Sequence, residues 1–539
     1  MTATWNFGNI FDEIEKVVPS DRSAFIHGDR VITWQQFSQR SNNFAANLLN
    51  NGAQVGDKIA FYMRNCPEYP ESMVAGFKAR LTHVNVNYRY IENELIYLLD
   101  NSDATVCVYS AEFSDQVRKI RSQLPQLKLW IQVEDGHQGL DDVISYESYA
   151  NEGDGKALQN MQRESTDQLF IYTGGTTGMP KGVMWSHYAL WNVLGGGGNA
   201  RAGVPACVDL TELVTRVSNN PLPPVTLPLP PIMHGTGLLS ALMSIAAGGT
   251  CITLNSKNYE ADLALAVIDQ HRVTTVTLVG DAFARPLVEA LDRDHNSYDF
   301  SSVNLMTSSG VMWTREVKAG LLSHNENLML VDGFSSSEAI GLGSSVMTKD
   351  EVIDVASFSL GPACKVFKED GTEVIAGSGE KGMVAVSGFL PDGYYKDQVK
   401  TDATFKTYDG VRYSIPGDFV EVMLDGTLTL LGRGSNCINT AGEKVFPEEV
   451  EEALKFHDSV VDCLVVGLSH EKWGQSITAV VELIEGHVID EAELREFSRQ
   501  HLAAYKIPKK VLFKDSLERA PNGKANYKLI QDFAETALA

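Results

Sequence analysis

The 539-residue sequence has no apolar run long enough to cross a bilayer. Its most lipid-like stretch, 238–249, is short, carries glycines and follows prolines at 228, 230 and 231. A buried helix is expected there, and no integral membrane association. Cysteine is scarce: seven residues, an odd number, scatter between Cys66 and Cys463 without paired spacing. That speaks against a disulfide framework or a zinc cluster and suits reduced thiols in a cytoplasm. Basic residues are outnumbered, 45 Lys and Arg against 69 Asp and Glu, for a net charge of −24. Most of the surface therefore opposes nucleic acid and anionic lipid, and any nucleotide site has to be built locally. The first residues lack a basic stretch followed by an apolar core, so no secretory signal is expected. Internal repeats and low-complexity tracts are also missing.

What is present is a long, ordinary globular composition, enough for several compact units. Segments 58–63, 104–109 and 273–279 are short, β-branched and nearly continuous in apolar residues or Thr, and read as buried strands. Helical stretches lie between them, for example 33–49 and 259–271. The alternation predicts an α/β fold, with parallel-rich sheets flanked by helices. Near Gly432 the character changes. A strand over 427–431 is followed by a polar, glycine-punctuated turn at 432–436, which sets a domain boundary: 1–432, then 433–539. Beyond it, a helix begins at Pro447 with acids in its first turn and a strand covers 460–466, as in a small α+β domain.

The most informative stretch is Ile171-Tyr172-Thr173-Gly174-Gly175-Thr176-Thr177-Gly178-Met179-Pro180-Lys181-Gly182. Glycines let backbone N–H groups approach phosphate oxygens, hydroxyls donate further bonds and the lysine supplies charge. Pro180 before Lys181, and no Ser or Thr after it, separate this loop from a Walker A motif. The apolar lead-in and Pro-Lys end also separate it from a mobile Gly/Ser linker.

The loop resembles the phosphate loop of the adenylate-forming superfamily, which includes acyl-CoA synthetases, luciferases and the adenylation domains of peptide synthetases. Gly174 stands where that family usually has serine. Further motifs recur downstream in the family's order. Ser308-Ser309-Gly310-Val311 is similar to the segment lining the adenine pocket. Asp332-Gly333-Phe334-Ser335-Ser336-Ser337-Glu338 resembles the motif that places Phe334 by adenine, Ser337 near the α-phosphate and Glu338 on magnesium; Ser335 departs from the usual glycine. The resemblance also implies Thr177 as a metal-binding position. Asp418, ending Ser414-Ile415-Pro416-Gly417-Asp418, matches the ribose-binding aspartate, an acceptor-only group suited to two hydroxyls. Arg433 matches the hinge motif, although Ser435 and Asn436 replace the aspartates that often follow it. Gly442-Glu443-Lys444 resembles the loop turned toward the site for thiol transfer, and Lys524 in Pro521-Asn522-Gly523-Lys524 matches the catalytic lysine. His234 matches a position beside the carboxylate pocket, with a satisfied structural histidine as the alternative. The glycines 195–198 leave two readings open, room for a bulky acyl chain or a flexible loop.

The resemblance implies an ATP-dependent acid:CoA ligase. A carboxylate attacks the α-phosphate of ATP, pyrophosphate leaves, and coenzyme A takes the acyl group from the adenylate. Lys181, Glu338 with magnesium, and Lys524 supply electrostatic stabilisation. The substrate carboxylate is itself the nucleophile and needs no activating triad. A small-molecule carboxylic acid, ATP and CoA are the expected partners, with no nucleic acid; a homodimer is left open. Three other readings stay in view: a carrier-protein ligase, a luciferase-like oxygenase and a nonenzymatic nucleotide sensor. Ile232-Met233-His234 lacks the aspartate that would pair with a substrate amine, so an apolar acid is expected.

Overall fold

The computed structural model describes residues 5–174, 179–200, 203–293, 297–310, 313, 315–350, 357–433, 438–445, 447–484, 486–518 and 527–538. The described chain clusters into two compact units. One gathers residues 1–88, 99–172 and 182–431, the other 89–98, 173–181 and 432–539.

The first unit contains two large sheets. In the eight-stranded sheet, Lys58–Tyr62 runs parallel to both Thr82–Asn85 and Ala104–Ser110, and Thr82–Asn85 is parallel to Gln168–Gly174. Their β-branched and aromatic side chains are buried, as a sheet covered on both faces requires. Helix Trp34–Asn50 begins where expected because Thr33 caps it: Thr33 accepts from the N–H of Gln36, and the Gln36 side chain accepts from the N–H of Thr33. It packs on helix Glu68–Lys78.

The 15-stranded sheet opens on an antiparallel edge pair, Ser23–His27 with Arg30–Thr33, continues parallel through Met329–Ser336 and is antiparallel beyond it. Val225–Pro228, Thr275–Leu278, Leu305–Ser309 and Met329–Ser336 align in parallel. Helices Gly235–Ala246, Ala261–His271, Asp281–Arg293 and Arg315–His324 connect these strands in the strand–helix alternation of an α/β fold. From Ala339 onward the chain turns to hairpins: Ala339–Met347, Ser357–Leu360 and Thr427–Arg433 continue the sheet antiparallel. The expected buried helix at 238–249 spans Gly235–Ala246, and Thr275–Leu278 is shorter than the predicted 273–279 strand.

The second unit is α+β. Strand Val460–His470 pairs antiparallel with Gly474–Leu483, and alternate residues serve two small cores. Cys463, Val465, Ile477, Ala479 and Val481 pack with Val450, Leu454 and Leu494 from two helices. On the opposite face Leu464, Val466 and Val480 pack with Ile530 and Ala534 of helix Tyr527–Leu538. Period-two alternation thus fills both sides of one hairpin. Within this unit Lys506 Nζ donates to Glu94 Oε1 at 2.6 Å, with both side chains buried.

Candidate active site

Two motifs 24 residues apart meet in register. Strands Leu305–Ser309 and Met329–Ser336 run parallel, placing Ser308 beside Asp332 and Ser309 beside Gly333. Gly310 ends the first strand at φ 101°, a conformation that favours glycine. The Gly280 N–H donates to Ser308 Oγ at 2.9 Å, fixing the segment from a neighbouring loop. Asp332 is buried and accepts from Lys318 Nζ at 3.1 Å. Burial pushes the Asp332 carboxyl up from its ordinary range, and the Lys318 ammonium opposes the shift. Phe334 packs on Phe358 with ring centroids 5.5 Å apart.

Glu338 sits at a hairpin tip. Ser336 pairs with Ala339, so Ser337 and Glu338 form a two-residue turn between Met329–Ser336 and Ala339–Met347. Neither turn residue has positive φ, unlike the Gly- and Asn-rich turns that such hairpins usually use. Three donors from outside the hairpin hold it. Trp185 Nε1 donates to the Ser337 carbonyl at 2.9 Å, Ser414 Oγ to the Glu338 carbonyl at 2.7 Å, and the Tyr394 hydroxyl to Glu338 Oε1 at 2.7 Å. Ser335 Oγ accepts from the Gly341 N–H at 3.0 Å. The sequence reading singled out neither Trp185 nor Tyr394, and Ser414 only as part of the Asp418 motif. A tyrosine and a tryptophan carry no signal of the distant turn they grip.

The glycine- and threonine-rich loop leaves strand Gln168–Gly174, which ends in Thr173 and Gly174, and re-enters the sheet as Pro180–Ser186, which includes Lys181. Gly175, Thr176, Thr177 and Gly178 lie outside the described residues. Asn85, which no sequence motif marks, anchors the incoming strand. Its side chain accepts from the Tyr172 N–H at 2.7 Å and donates to the Tyr172 carbonyl at 3.0 Å and the Met233 carbonyl at 2.7 Å. The same amide therefore ties the phosphate-loop strand to the residue before His234. His234 itself is half-buried and precedes helix Gly235–Ala246.

Asp418 is buried at the first position of strand Asp418–Val422, after Gly417 at φ 96°. Gly432 and Arg433 belong to strand Thr427–Arg433, so the first two residues of the predicted 432–436 turn are strand. This strand lies between two others in the sheet, and ladder pairing carries it past a glycine that locally favours a turn. Residues 434–437 lie outside the described set. In the second unit Ala441 and Gly442, both at positive φ, join strands Ile438–Thr440 and Glu443–Val445. Glu443 Oε1 accepts from Arg89 Nη1 at 2.7 Å, and Lys444 lies on the strand beside it. Val311 and Lys524 fall outside the described residues.

The glycines at 195–198 form a packed turn. Gly195, Gly196 and Gly197 have positive φ. A Cβ at Gly197 would sit 3.0 Å from both Cys207 Sγ and Leu213 Cδ1, and one at Gly198 would sit 2.4 Å from the Pro205 carbonyl oxygen. The run permits close approach of two chain segments.

Among the described residues no group of three or more His, Cys, Asp or Glu could cage a metal. One positioned carboxylate, Glu338, does fit magnesium, which typically takes one or two carboxylates and completes its shell with phosphate oxygens and water. None of the described helices is long and apolar enough to cross a membrane.

Residues 11–395 match the model of the AMP-binding enzyme family, and 449–524 match the AMP-binding enzyme C-terminal domain. A 3-oxocholest-4-en-26-oate–CoA ligase of Rhodococcus rhodochrous is 38% identical over 97% of this chain and 95% of its own length. A medium/long-chain-fatty-acid–CoA/3-oxocholest-4-en-26-oate–CoA ligase of Mycobacterium marinum is also 38% identical, over 100% of this chain and 98% of its own. In fold, an amide bond synthetase from Marinactinospora thermotolerans superposes with a TM-score of 0.81 at 19% identity, covering 98% of this chain and 99% of that one. The chain belongs to the AMP-binding enzyme family and is an acyl-CoA ligase of the adenylate-forming superfamily.

Proposed function

We propose that the protein couples ATP cleavage to joining an apolar carboxylic acid, a medium- or long-chain fatty acid or a steroid side-chain acid, to coenzyme A. The observation that carries this reading is full-length similarity to two ligases named for such acids, in a chain whose nucleotide motifs meet in register. Ser309, Gly310 and Val311 with Gly333 and Phe334 form the adenine wall, and Asp332 lies beside them. Asp418 and Arg433 take the ribose. The loop from Thr173 to Lys181 takes the distal phosphates, with Ser335, Ser336 and Ser337 near the α-phosphate. Glu338 and Thr177 are the residues that would hold magnesium, which when bound neutralises charge on the phosphates.

In this reading the acid lies near His234, and its carboxylate attacks the α-phosphate while Lys524 stabilises the developing charge. The boundary lies at 432. The C-terminal domain then turns about 432–436 and presents Gly442, Glu443 and Lys444 for the thiol step. The thiols Cys107 and Cys251, neither of them in a disulfide, support a reducing, cytoplasmic setting.

The test is a screen of acids of increasing length and ring content for CoA-dependent AMP release. Each buried methylene should improve binding by about 0.8 kcal/mol until the pocket is full. Specificity constants should therefore climb and then fall. Preference for α-amino acids over their deaminated analogues would overturn the reading.

A further inference from the structure

We propose that Tyr394 is a positioning residue for the adenylation step, holding the Glu338 carboxylate in the orientation in which it meets magnesium. The inference rests on the assignment of Glu338 to the metal. It adds the device that orients that carboxylate.

The geometry is that of a pre-set arm. Tyr394 is buried, and strand Gly393–Tyr394 pairs antiparallel with Met184 and Val183. Its backbone N–H donates to Thr401 Oγ1 at 2.9 Å, and Thr401 Oγ1 in turn donates to the Asp397 carbonyl at 2.8 Å. Gly393 has φ 150°, and a Cβ there would lie 2.5 Å from Thr401 Cγ2, so the close approach depends on glycine. The ring meets Phe405 edge-on at 6.2 Å. With backbone and ring both fixed, the hydroxyl has little freedom except to donate to Glu338 Oε1.

Trp185, which grips the Ser337 carbonyl, lies on the strand that pairs with that of Tyr394. One edge of the eight-stranded sheet therefore holds both the backbone and the carboxylate of a turn belonging to the other sheet. A glutamate at a hairpin tip would otherwise sample several rotamers, and ordering it on binding would cost side-chain entropy. Here the order exists beforehand. Partners of this kind typically change metal affinity or activity by about 10- to 100-fold when removed.

The experiment compares unchanged protein, Tyr394→Phe and Glu338→Gln by calorimetry, measuring ATP dissociation constants with EDTA and with saturating magnesium. The ratio of the two constants reports how strongly the metal is coupled to the site. In Tyr394→Phe this ratio should fall about 10-fold, with binding in EDTA and the melting transition unchanged. AMP release should need correspondingly more magnesium. If Glu338→Gln lowers the ratio while folded Tyr394→Phe leaves it within twofold of unchanged protein, the positioning role is overturned. If Glu338→Gln itself leaves the ratio unchanged, Glu338 is not the metal carboxylate and the underlying assignment falls instead. Should Tyr394→Phe fail to fold, Tyr394→Leu, which also removes the hydroxyl, takes its place with the same expected direction and the same overturning result.

Discussion

The Asn85 side chain engages both backbone groups of Tyr172, accepting from its N–H at 2.7 Å and donating to its carbonyl at 3.0 Å. It acts as a substitute rung between two strands of the sheet just where one of them leaves for the phosphate loop. Asn85→Ala strands a buried donor and two buried acceptors. Unfolding free energy should drop by roughly 2–4 kcal/mol, measured by urea titration. A loss below about 0.5 kcal/mol would show that solvent replaces the amide without penalty.

Acid should destabilise the fold through His187. Its Nδ1 accepts from the Phe7 N–H at 3.3 Å, and its ring lies between Phe7 and Phe77. Burial pushes its pKa down to about 3. The unfolded chain binds this proton from about pH 6.5 downward, the folded chain only near pH 3, so stability is present above 6.5 and is lost on acidification between those values. His187→Gln keeps an acceptor but does not titrate. It should flatten the dependence of unfolding free energy on pH by about 1.4 kcal/mol per unit between pH 6 and 4.

Removing one side of the Glu94–Lys506 pair should be costly because both charges are buried. Lys506→Met should destabilise by about 3–5 kcal/mol, and Glu94→Leu added to it should recover most of that loss. A double-mutant cycle on thermal or denaturant unfolding checks the pair.

Lys524→Ala should slow acyl-adenylate formation by roughly 10²–10³-fold while sparing CoA thioester formation from supplied acyl-adenylate. The two half-reactions are followed separately by pyrophosphate release and thioester yield. Equal loss in both would contradict the division of labour.

Gly196→Trp should lower stability without moving the preferred acid length, because Gly196 has φ 57° and its missing Cβ would meet Ala206 at 3.0 Å. A folded variant with a shifted length optimum would return the glycines to the pocket wall.

Local chemistry made much of this fold legible. The helix expected over 33–49 is the observed Trp34–Asn50, and the short apolar runs at 58–62 and 104–110 are buried strands as their length and composition suggested. The nucleotide motifs were legible because each is contiguous. What remained hidden depends on distance. Trp185, Tyr394 and Ser414 converge on residues 152, 56 and 76 positions away, and no periodicity encodes such meetings. The close packing of the glycine run was hidden as well, because it lies in Pro205, Cys207 and Leu213, which press against it.

After Lys181 the chain runs on as strand Pro180–Ser186, where a Walker-type loop would open a helix. In the proposed reading, phosphates held by this loop receive no helix-end partial charge from the segment that follows it, residues 180–186. Their attraction then rests on the loop's backbone N–H groups and the full charge of Lys181, in a protein whose net charge is −24. Nucleotide affinity should therefore respond to added salt through two opposed effects, a screened attraction to Lys181 and a screened repulsion from the net negative surface.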